Sequence, residues 1–517
     1  MPPVPILSPA QSEDWDRLAE SAGMSRATLM ESAGRAAAAV VARRFGAELA
    51  RGAIIAAGTG NNGGDGWVLA RALHRLGAPV WVAAVAGERS ALCAAAAELA
   101  IGDGVRQLPP DGPWPSAGLA VDALLGTGAR GAPRAPVASL MERIGELRVP
   151  VVALDGPTGL DLGTGVMHGA PRADLTITFG GFRRGHLLAR DEAGTVVVVD
   201  IGHPPAEPDW PRLLTDEWSA RHGPRFSASS HKGERGRIVI VGGAPGMSGA
   251  LRLAARSALA TGAGYVHAVA PPATIAELRE AEPELLTLEL ELEADPSAGV
   301  LDLVRRADAL LIGPGLGRAE GRAALVSRLV TEAHDVVLDA DALTAFQGKS
   351  AALADASAER RTVLTPHPGE FRSVFPELAA LREVDPWEAA ATASGRLGAT
   401  LLLKGVPTVV GHEGRAPWTV AAGNPGLGTG GSGDVLSGII TTLMAQSRDP
   451  LMAACLGAQA LGRAADIAAA RVSVRSMRPQ DVIEALGEVW SDWESRRQGT
   501  PLLDPPVLAE LPGPALG

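Results

Sequence analysis

Aromatic side chains are scarce in this chain, only 3% of residues. Its cores must therefore be packed mainly from Ala, Val, Leu and Ile. Cysteine is nearly absent: Cys93 and Cys455 fall one in each half. That excludes a disulfide framework and predicts a reducing, cytoplasmic setting. No apolar run reaches the ~20 residues needed to cross a bilayer, so no membrane association is expected. The opening MPPVPILSPAQSEDWDRLAE has neither a basic start nor an apolar centre, so no signal peptide is expected. Positive charge is in deficit, with a net charge of −11. A general nucleic-acid binder, which shows a basic face, is thereby disfavoured. Phosphate ligands are not, because backbone amides and helix ends bind anions locally.

What is present is a long, glycine-rich, globular chain. Its 517 residues are 46% hydrophobic and include 63 glycines, and this length predicts two domains of roughly 200 to 300 residues each. Short apolar runs alternate with helical patterns: GAIIAAG, PVWVAAVAG, LAVDALLG, VPVVALDG, ADLTITFG and TVVVVDIG in the first half. The helix predicted over about 26–45 has Ser25 as its cap. After Gly202 the texture becomes proline-rich and polar, and residues 203–226 read as a linker. Alternation restarts with GRIVIVGG, YVHAVAPP, ADALLIGPG, DVVLDAD, RTVLTPHPGE and ATLLLKG. The segment after Pro450 reads as mostly helical, and the last dozen residues as a disordered Pro-rich tail. The fold class is α/β: parallel sheets covered on both faces, in domains 1–210 and 226–495.

Three motifs of the first half carry polar groups at strand ends. GTGNNGGDG, from Gly58 to Gly66, follows a strand and opens a helix. Gly58, Gly60 and Gly63 satisfy the spacing of a dinucleotide fingerprint. Asn61, Asn62 and Asp65, however, place polar groups where a hydride-transferring enzyme wants only glycine. VDALLGTGARGAP sets Asp122 inside an apolar strand, where a buried carboxylate needs partners. Arg130 is a candidate ion-pair partner on the following loop, against the simpler reading of an exposed arginine. VVALDGPTGLD places Asp155 at a strand end, where open α/β sheets meet ligands. Asn62, Asp122 and Thr158 together offer only oxygen ligands, which suit a hard cation and not zinc.

In the second half the most informative stretch is NPGLGTGGSGDVLSG, a glycine-rich turn ending in Asp434 at the mouth of a helix. Bare amides there can hold a phosphoryl group, and Asp434 is placed to take a proton from a hydroxyl. No lysine follows the earlier cluster GGAPGMSGA, so a P-loop NTPase is disfavoured. IGPGLG contributes Gly315, VLDADAL contributes Asp339 and Asp341, and TPHPGEF contributes His367 and Glu370. LLLKGVPT presents Lys404 at a strand end.

NNGGDG, DALLGTG and the D-x-P-[ST]-G-like turn, preceded by LMESAG, resemble the epimerase domain of bifunctional NAD(P)H-hydrate repair enzymes over about residues 8–210. The resemblance implies a Rossmann-like three-layer sandwich. It implies that Asn61, Asn62, Gly63, Gly64 and Asp65, with Gly126, Thr127, Gly128, Ala129, Arg130, Gly131 and Ala132, bind the hydrated dinucleotide. It also implies that Asn62, Asp122 and Thr158 bind potassium and that Asp155 handles substrate protons. Where that family usually has Ile-Pro-Ser, this chain has Gly156, Pro157 and Thr158. The threonine keeps the hydroxyl and adds a methyl, and the glycine loosens the backbone.

The second-half motifs, six in family order over about residues 231–486, resemble the ribokinase-like ADP- or ATP-dependent NAD(P)H-hydrate dehydratase. The resemblance implies a ribokinase-like three-layer sandwich in which Ala250, Gly315, His367 and Asp434 contact the hydrated nicotinamide nucleotide. It assigns Lys404, Gly405, Val406, Pro407, Thr408 and Gly433 to the adenine nucleotide, with magnesium and ADP, or ATP, as the phosphoryl donor. The expected substrates are the hydrates of NADH and NADPH (NADHX and NADPHX), and the expected assembly is a homo-oligomer. The alternative is a vitamin or sugar kinase of the ribokinase-like superfamily fused to a non-catalytic nucleotide-binding module.

Overall fold

The computed structural model describes residues 3–169, 172–499 and 504–514. The chain forms two compact units, one essentially residues 4–210 plus a C-terminal strand, the other residues 211–501.

The first unit is built on one sheet whose strands lie side by side in the order Val507–Leu511, Thr195–Val199, Leu175–Phe179, Val151–Leu154, Leu119–Ala123, Ala53–Ala57, Val80–Ala84 and Arg106–Leu108. All neighbours are parallel except the first pair. The central strands are continuous apolar runs because both faces are covered, and Ile54, Ile55, Val121 and Val152 are fully buried. Chain order runs outward in one direction from Ala53–Ala57 and then jumps to Leu119–Ala123 and runs outward in the other. The crevice at the C-terminal ends of these two strands is the switch point at which open α/β sheets bind ligands. Ala57 and Ala123 are register partners there, so the loops that follow them emerge side by side. The helix Arg26–Arg44 begins as expected, with the Ser25 side chain accepting the Thr28 amide. Helix Asn61–Arg75 starts inside the glycine motif itself, with Gly60 as its cap.

The second unit repeats the plan. Its strands are ordered Leu286–Glu289, Tyr265–Ala270, Arg237–Val241, Ala309–Ile312, Asp335–Leu338, Arg361–Leu364 and Thr400–Leu403, all parallel. Thr408–His412 and Arg415–Val420 extend the sheet antiparallel. Here the switch point lies between Arg237–Val241 and Ala309–Ile312. Helices Ser248–Ala260, Ser432–Ser447, Pro450–Val472 and Pro479–Gln498 supply the large aliphatic and Ala-rich core beside the sheet.

Two expectations are corrected. The stretch 203–226 is not a bare linker. Arg212 and Leu213 pair in parallel with Trp418 and Thr419, and Asp216–His222 is a helix capped by Thr215. Leu214 and Ala220 enter the core of the second unit, so the apolar residues spaced among the prolines outweigh the polar composition. Nor is the C-terminal tail without structure. Val507–Leu511 pairs antiparallel with Thr195–Val199, covering the edge of the first sheet. Glu510 receives two hydrogen bonds from Arg44, at 3.0 and 2.6 Å. A five-residue strand is easily hidden by flanking prolines when composition alone is read.

Candidate active sites

In the first unit the three loops predicted to act together do meet. Asp155 directly follows strand Val151–Leu154 and adopts a left-handed backbone, with φ of 63°. Its carboxylate accepts the Thr127 amide at 2.7 Å and the Thr127 hydroxyl. It pairs with the Arg183 guanidinium at 3.1 Å, and the Thr178 hydroxyl approaches at 3.4 Å. Burial alone would raise the pKa of this group. Arg183 and the Thr127 donors outweigh that and hold it below the usual carboxylate range. Gly126 has to be small here, since a Cβ would lie 3.1 Å from the Asp155 carboxylate and 3.2 Å from the Asn62 side chain.

Beneath lies a second, buried cluster. Asp122 accepts the Thr158 amide and the Thr158 hydroxyl, both at 2.7 Å, and the Leu124 amide at 3.1 Å. Burial raises its pKa despite these donors. The Thr158 oxygen in turn accepts the Leu125 amide, and Asn62 donates to the Leu125 carbonyl at 3.0 Å. Asn62 Oδ1 is buried with no hydrogen-bond partner among the described residues. Asp122, Thr158 and Asn62 thus converge on the Leu124–Leu125 turn.

A cavity of about 590 Å³ opens over these groups, lined by Asn61, Asn62, Asp65, the segment from Gly126 to Ala129, Asp155 and Arg183. Burial and the charges of Asp155 and Asp16 push the Asp65 carboxyl well above its ordinary range. Gly63 and Gly64 are not part of the lining. They are buried, and Gly64 packs against Met30. Arg130, Gly131 and Ala132 are exposed and lie outside the lining. Arg130 is not the partner of Asp122, whose donors are neutral. The cation paired with Asp155 is Arg183, which the sequence reading missed together with His186. Their signal is FRRGH, basic residues placed immediately after the strand ADLTITFGG.

In the second unit, helix Ser432–Ser447 starts at Gly431, whose φ is 99°, and no side chain caps its amino end. Asp434 stands in its first turn. The carboxylates of Asp339, Asp341 and Glu370 and the ammonium of Lys404 act on it electrostatically. Burial, reinforced by Asp339, pushes Asp434 up to about 7. Lys404 is committed to Asp339 at 2.7 Å, and Thr365 donates to the same oxygen at 2.8 Å. A Cβ on Gly433 would lie 3.2 Å from Lys404 Nζ, so the ammonium and the helix mouth share one small space. Asp341 accepts the Gly317 amide and the Arg318 guanidinium.

Gly315, at φ 59°, brings its turn against Met247 and Ala250 at the switch point; a Cβ there would lie 2.7 Å from the Met247 carbonyl. His367 caps its own helix, accepting the Gly369 amide at 2.9 Å, while Glu370 accepts the His367 amide. Its ring is more than half exposed. Val406 is 77% exposed, and Thr408 closes the turn by donating to Gly405 at 3.1 Å.

Two open α/β sheets, each with an acidic side chain and small-residue loops beyond the C-terminal ends of its strands, are the arrangement of an enzyme that acts on small molecules. Sequence comparison narrows this. The profile described as NAD(P)H-hydrate dehydratase matches residues 238–488, and that described as YjeF-related protein N-terminus matches residues 26–185. The bifunctional NAD(P)H-hydrate repair enzyme Nnr of Salinibacter ruber is 39% identical, covering 96% of this chain and 98% of the relative. The protein of the same description from Escherichia coli is 36% identical over 91% of each chain. The chain belongs to the family of bifunctional NAD(P)H-hydrate repair enzymes. Among solved structures, an ADP/ATP-dependent NAD(P)H-hydrate dehydratase from Bacillus subtilis, co-crystallised with ATP and Mg2+, is 26% identical. It covers 55% of this chain and 98% of its own, with a TM-score of 0.48. Among the described residues no helix is long and apolar enough to cross a membrane.

Proposed function

We propose that the chain repairs NADH and NADPH whose nicotinamide ring has taken up water, interconverting the two epimers in the first unit and dehydrating the S epimer in the second. The observation that carries this reading is the pairing of Asp434 with an uncapped helix mouth. A carboxylate to which no donor among the described residues is hydrogen-bonded stands next to amides able to receive a phosphoryl group.

In that reading Asp434 takes the proton of the ring hydroxyl. The oxygen attacks the terminal phosphorus of ADP, which leaves as AMP. Phosphate, a far better leaving group than hydroxide, then departs as the neighbouring ring carbon gives up a proton, and the dihydropyridine is restored. Gly433 and its neighbours leave room for the phosphoryl group, and Lys404 balances its charge. Gly315, Ala250 and His367 border the hydrated ring, and Gly405, Val406, Pro407 and Thr408 border the nucleotide. Magnesium fits as an ion carried largely by phosphate oxygens and one or two of the carboxylates Asp339, Asp341 and Glu370, because no cluster of three or more metal-binding side chains exists among the described residues. When bound, it would neutralise charge developing on the transferred group.

The hydrate is a carbinolamine: its hydroxyl sits on the carbon bonded to the ring nitrogen. Configuration at that carbon is lost when the hydroxyl proton is removed and the ring carbon–nitrogen bond opens, and it is reset on closure. Asp155, held anionic, is the base for that proton. Asn61, Asn62, Asp65 and the loop from Gly126 to Ala129 hold the dinucleotide. Potassium fits the cluster below. Asn62 Oδ1 is an unpaired buried oxygen, and Asp122 and Thr158 supply further hard oxygen donors. Bound there, it would provide local positive charge.

The test mixes the protein with each hydrate epimer and with ADP or ATP, and follows the absorbance of reduced nicotinamide. Recovery of both epimers supports the reading. Accumulation of a phosphorylated product without any gain in absorbance would instead mark a kinase.

A further inference from the structure

Asp155 stands at φ 63°, a region that few residues with a side chain adopt, although aspartate tolerates it better than most. Side chains with a Cβ avoid the left-handed region, and a strained conformation persists only where its surroundings over-determine it. Two residues outside the expected site do this. His186 is completely buried, and both of its ring nitrogens are engaged. Nδ1 accepts the Arg183 amide at 3.0 Å, so the proton sits on Nε2, which donates to the Asp155 carbonyl at 2.7 Å. Burial pushes this imidazole down to about 4, so the same neutral tautomer persists across the working pH range.

Arg183 fixes the other end of the residue. Its guanidinium reaches the Asp155 carboxylate at 3.1 Å and the Thr127 hydroxyl at 3.0 Å. It is itself anchored to the carbonyls of Gly181 and Phe179 at 3.0 and 3.3 Å. One side chain therefore holds the backbone of Asp155 and the other holds its carboxylate, and a hydrogen bond from the Arg183 main chain to His186 joins the two.

We propose that His186 and Arg183 are positioning residues for epimerisation, a two-point clamp that aims the Asp155 carboxylate into the cavity. The inference rests on the epimerase reading of that cavity. Neither residue needs to touch the substrate. Their effect passes through Asp155, since catalysis is sensitive to small misplacements of a reacting group. With the clamp released, Asp155 relaxes toward an ordinary backbone conformation and its carboxylate leaves the Thr127 amide.

The experiment is a double-mutant cycle in the full-length protein, with epimerisation of one NADHX epimer followed by NMR without phosphoryl donor. We expect His186→Leu and Arg183→Met each to lower kcat by at least thirtyfold while KM changes by less than threefold. Arg183→Lys, which keeps a cation, should recover a large part of the loss. In an Asp155→Asn background neither substitution should have a further effect. Amide NMR spectra and a thermal melt that retain the signals of the first unit report that the variants are folded. If His186→Leu fails to fold, His186→Gln, which keeps a donor, and Arg183→Met complete the cycle. Losses that persist undiminished in the Asp155→Asn background, a change confined to KM, or full activity in His186→Leu and Arg183→Met would overturn the clamp. A wild-type protein that does not epimerise, or an Asp155→Asn variant at full rate, would instead overturn the reading of the cavity.

Discussion

The two units present the same chemical group, an aspartate beyond the C-terminal edge of a parallel sheet, in opposite electrostatic surroundings. Asp155 receives two bonds from Thr127 and the charge of Arg183, and stays ionised despite burial. Asp434 receives no such donor among the described residues. The ammonium nearest to it is held by Asp339, and burial with neighbouring carboxylates lifts it to about 7. The side chain alone therefore sets little, and the neighbours decide whether the carboxylate is a permanent anion or a group that exchanges a proton near neutrality. The difference suits the two tasks. A ring-opening proton transfer needs a base that is always available. Attack on a phosphoryl group occurs in a site already crowded with negative charge.

The sharpest way to break the comparison is to remove each carboxylate in turn. Asp434→Asn should lower ADP-dependent recovery of both epimers by roughly 10²- to 10⁴-fold, the usual worth of general base catalysis, and leave epimerisation unchanged. Asp155→Asn should reduce epimerisation by a comparable factor and spare dehydration of the S epimer. The absorbance trace would then stop once that epimer is consumed. If either substitution silenced both activities, the two sites would not be independent in the way their separate sheets suggest.

The protonation contrast gives the next effect. Dehydration should rise with pH through about 7 as Asp434 loses its proton. The rising limb of epimerisation should lie below the ordinary carboxylate range, because Asp155 is depressed. The same group sets a stability difference. The unfolded Asp434 releases its proton near pH ~3.9. The folded one releases it near 7, so the folded state binds the extra proton between those values. Its stabilisation is complete below the lower value and is lost as pH rises through the upper one. Asp434→Asn should consequently melt higher than wild type at pH 8, by on the order of 2–4 kcal/mol of stability, with no advantage at pH 4. An unchanged melting temperature at pH 8 would mean that Asp434 is not strained by its surroundings.

How much of this was legible beforehand follows the same line. Apolar runs and glycine turns marked the strands and both switch points, because covered parallel strands must be uniformly apolar and ligand-facing turns must be small. Asp155 and Asp434 stood out as charges at the ends of such runs. Arg183 and His186 did not, because their partners lie about thirty residues earlier in the chain and only the pairing of Val151–Leu154 with Leu175–Phe179 brings them together. The commitment of Lys404 to Asp339 was hidden for the same reason: the two stand at the ends of strands on either side of Arg361–Leu364 and are far apart in the sequence. The strand Val507–Leu511 was lost to its proline-rich flanks.

The smallest expected effect concerns Thr158, where the chain departs from the serine usual in the resembling family. Its hydroxyl donates to Asp122 and accepts the Leu125 amide, so both functions of the oxygen are in use and its methyl adds only packing. Thr158→Ser should therefore change epimerisation and its potassium dependence by less than about threefold, within the ~1 kcal/mol expected of one methyl group. Thr158→Val keeps the shape and deletes the oxygen. It leaves Asp122 short of a donor in a buried site, where an unmet polar group costs about 1–3 kcal/mol, and it should raise the potassium concentration needed for half-maximal rate. Measuring that concentration for the two variants separates the oxygen from the methyl. Equal behaviour of Ser and Val would show that the cation does not use this hydroxyl, and the hard-oxygen cluster would then reduce to Asn62, Asp122 and the backbone of the Leu124–Leu125 turn.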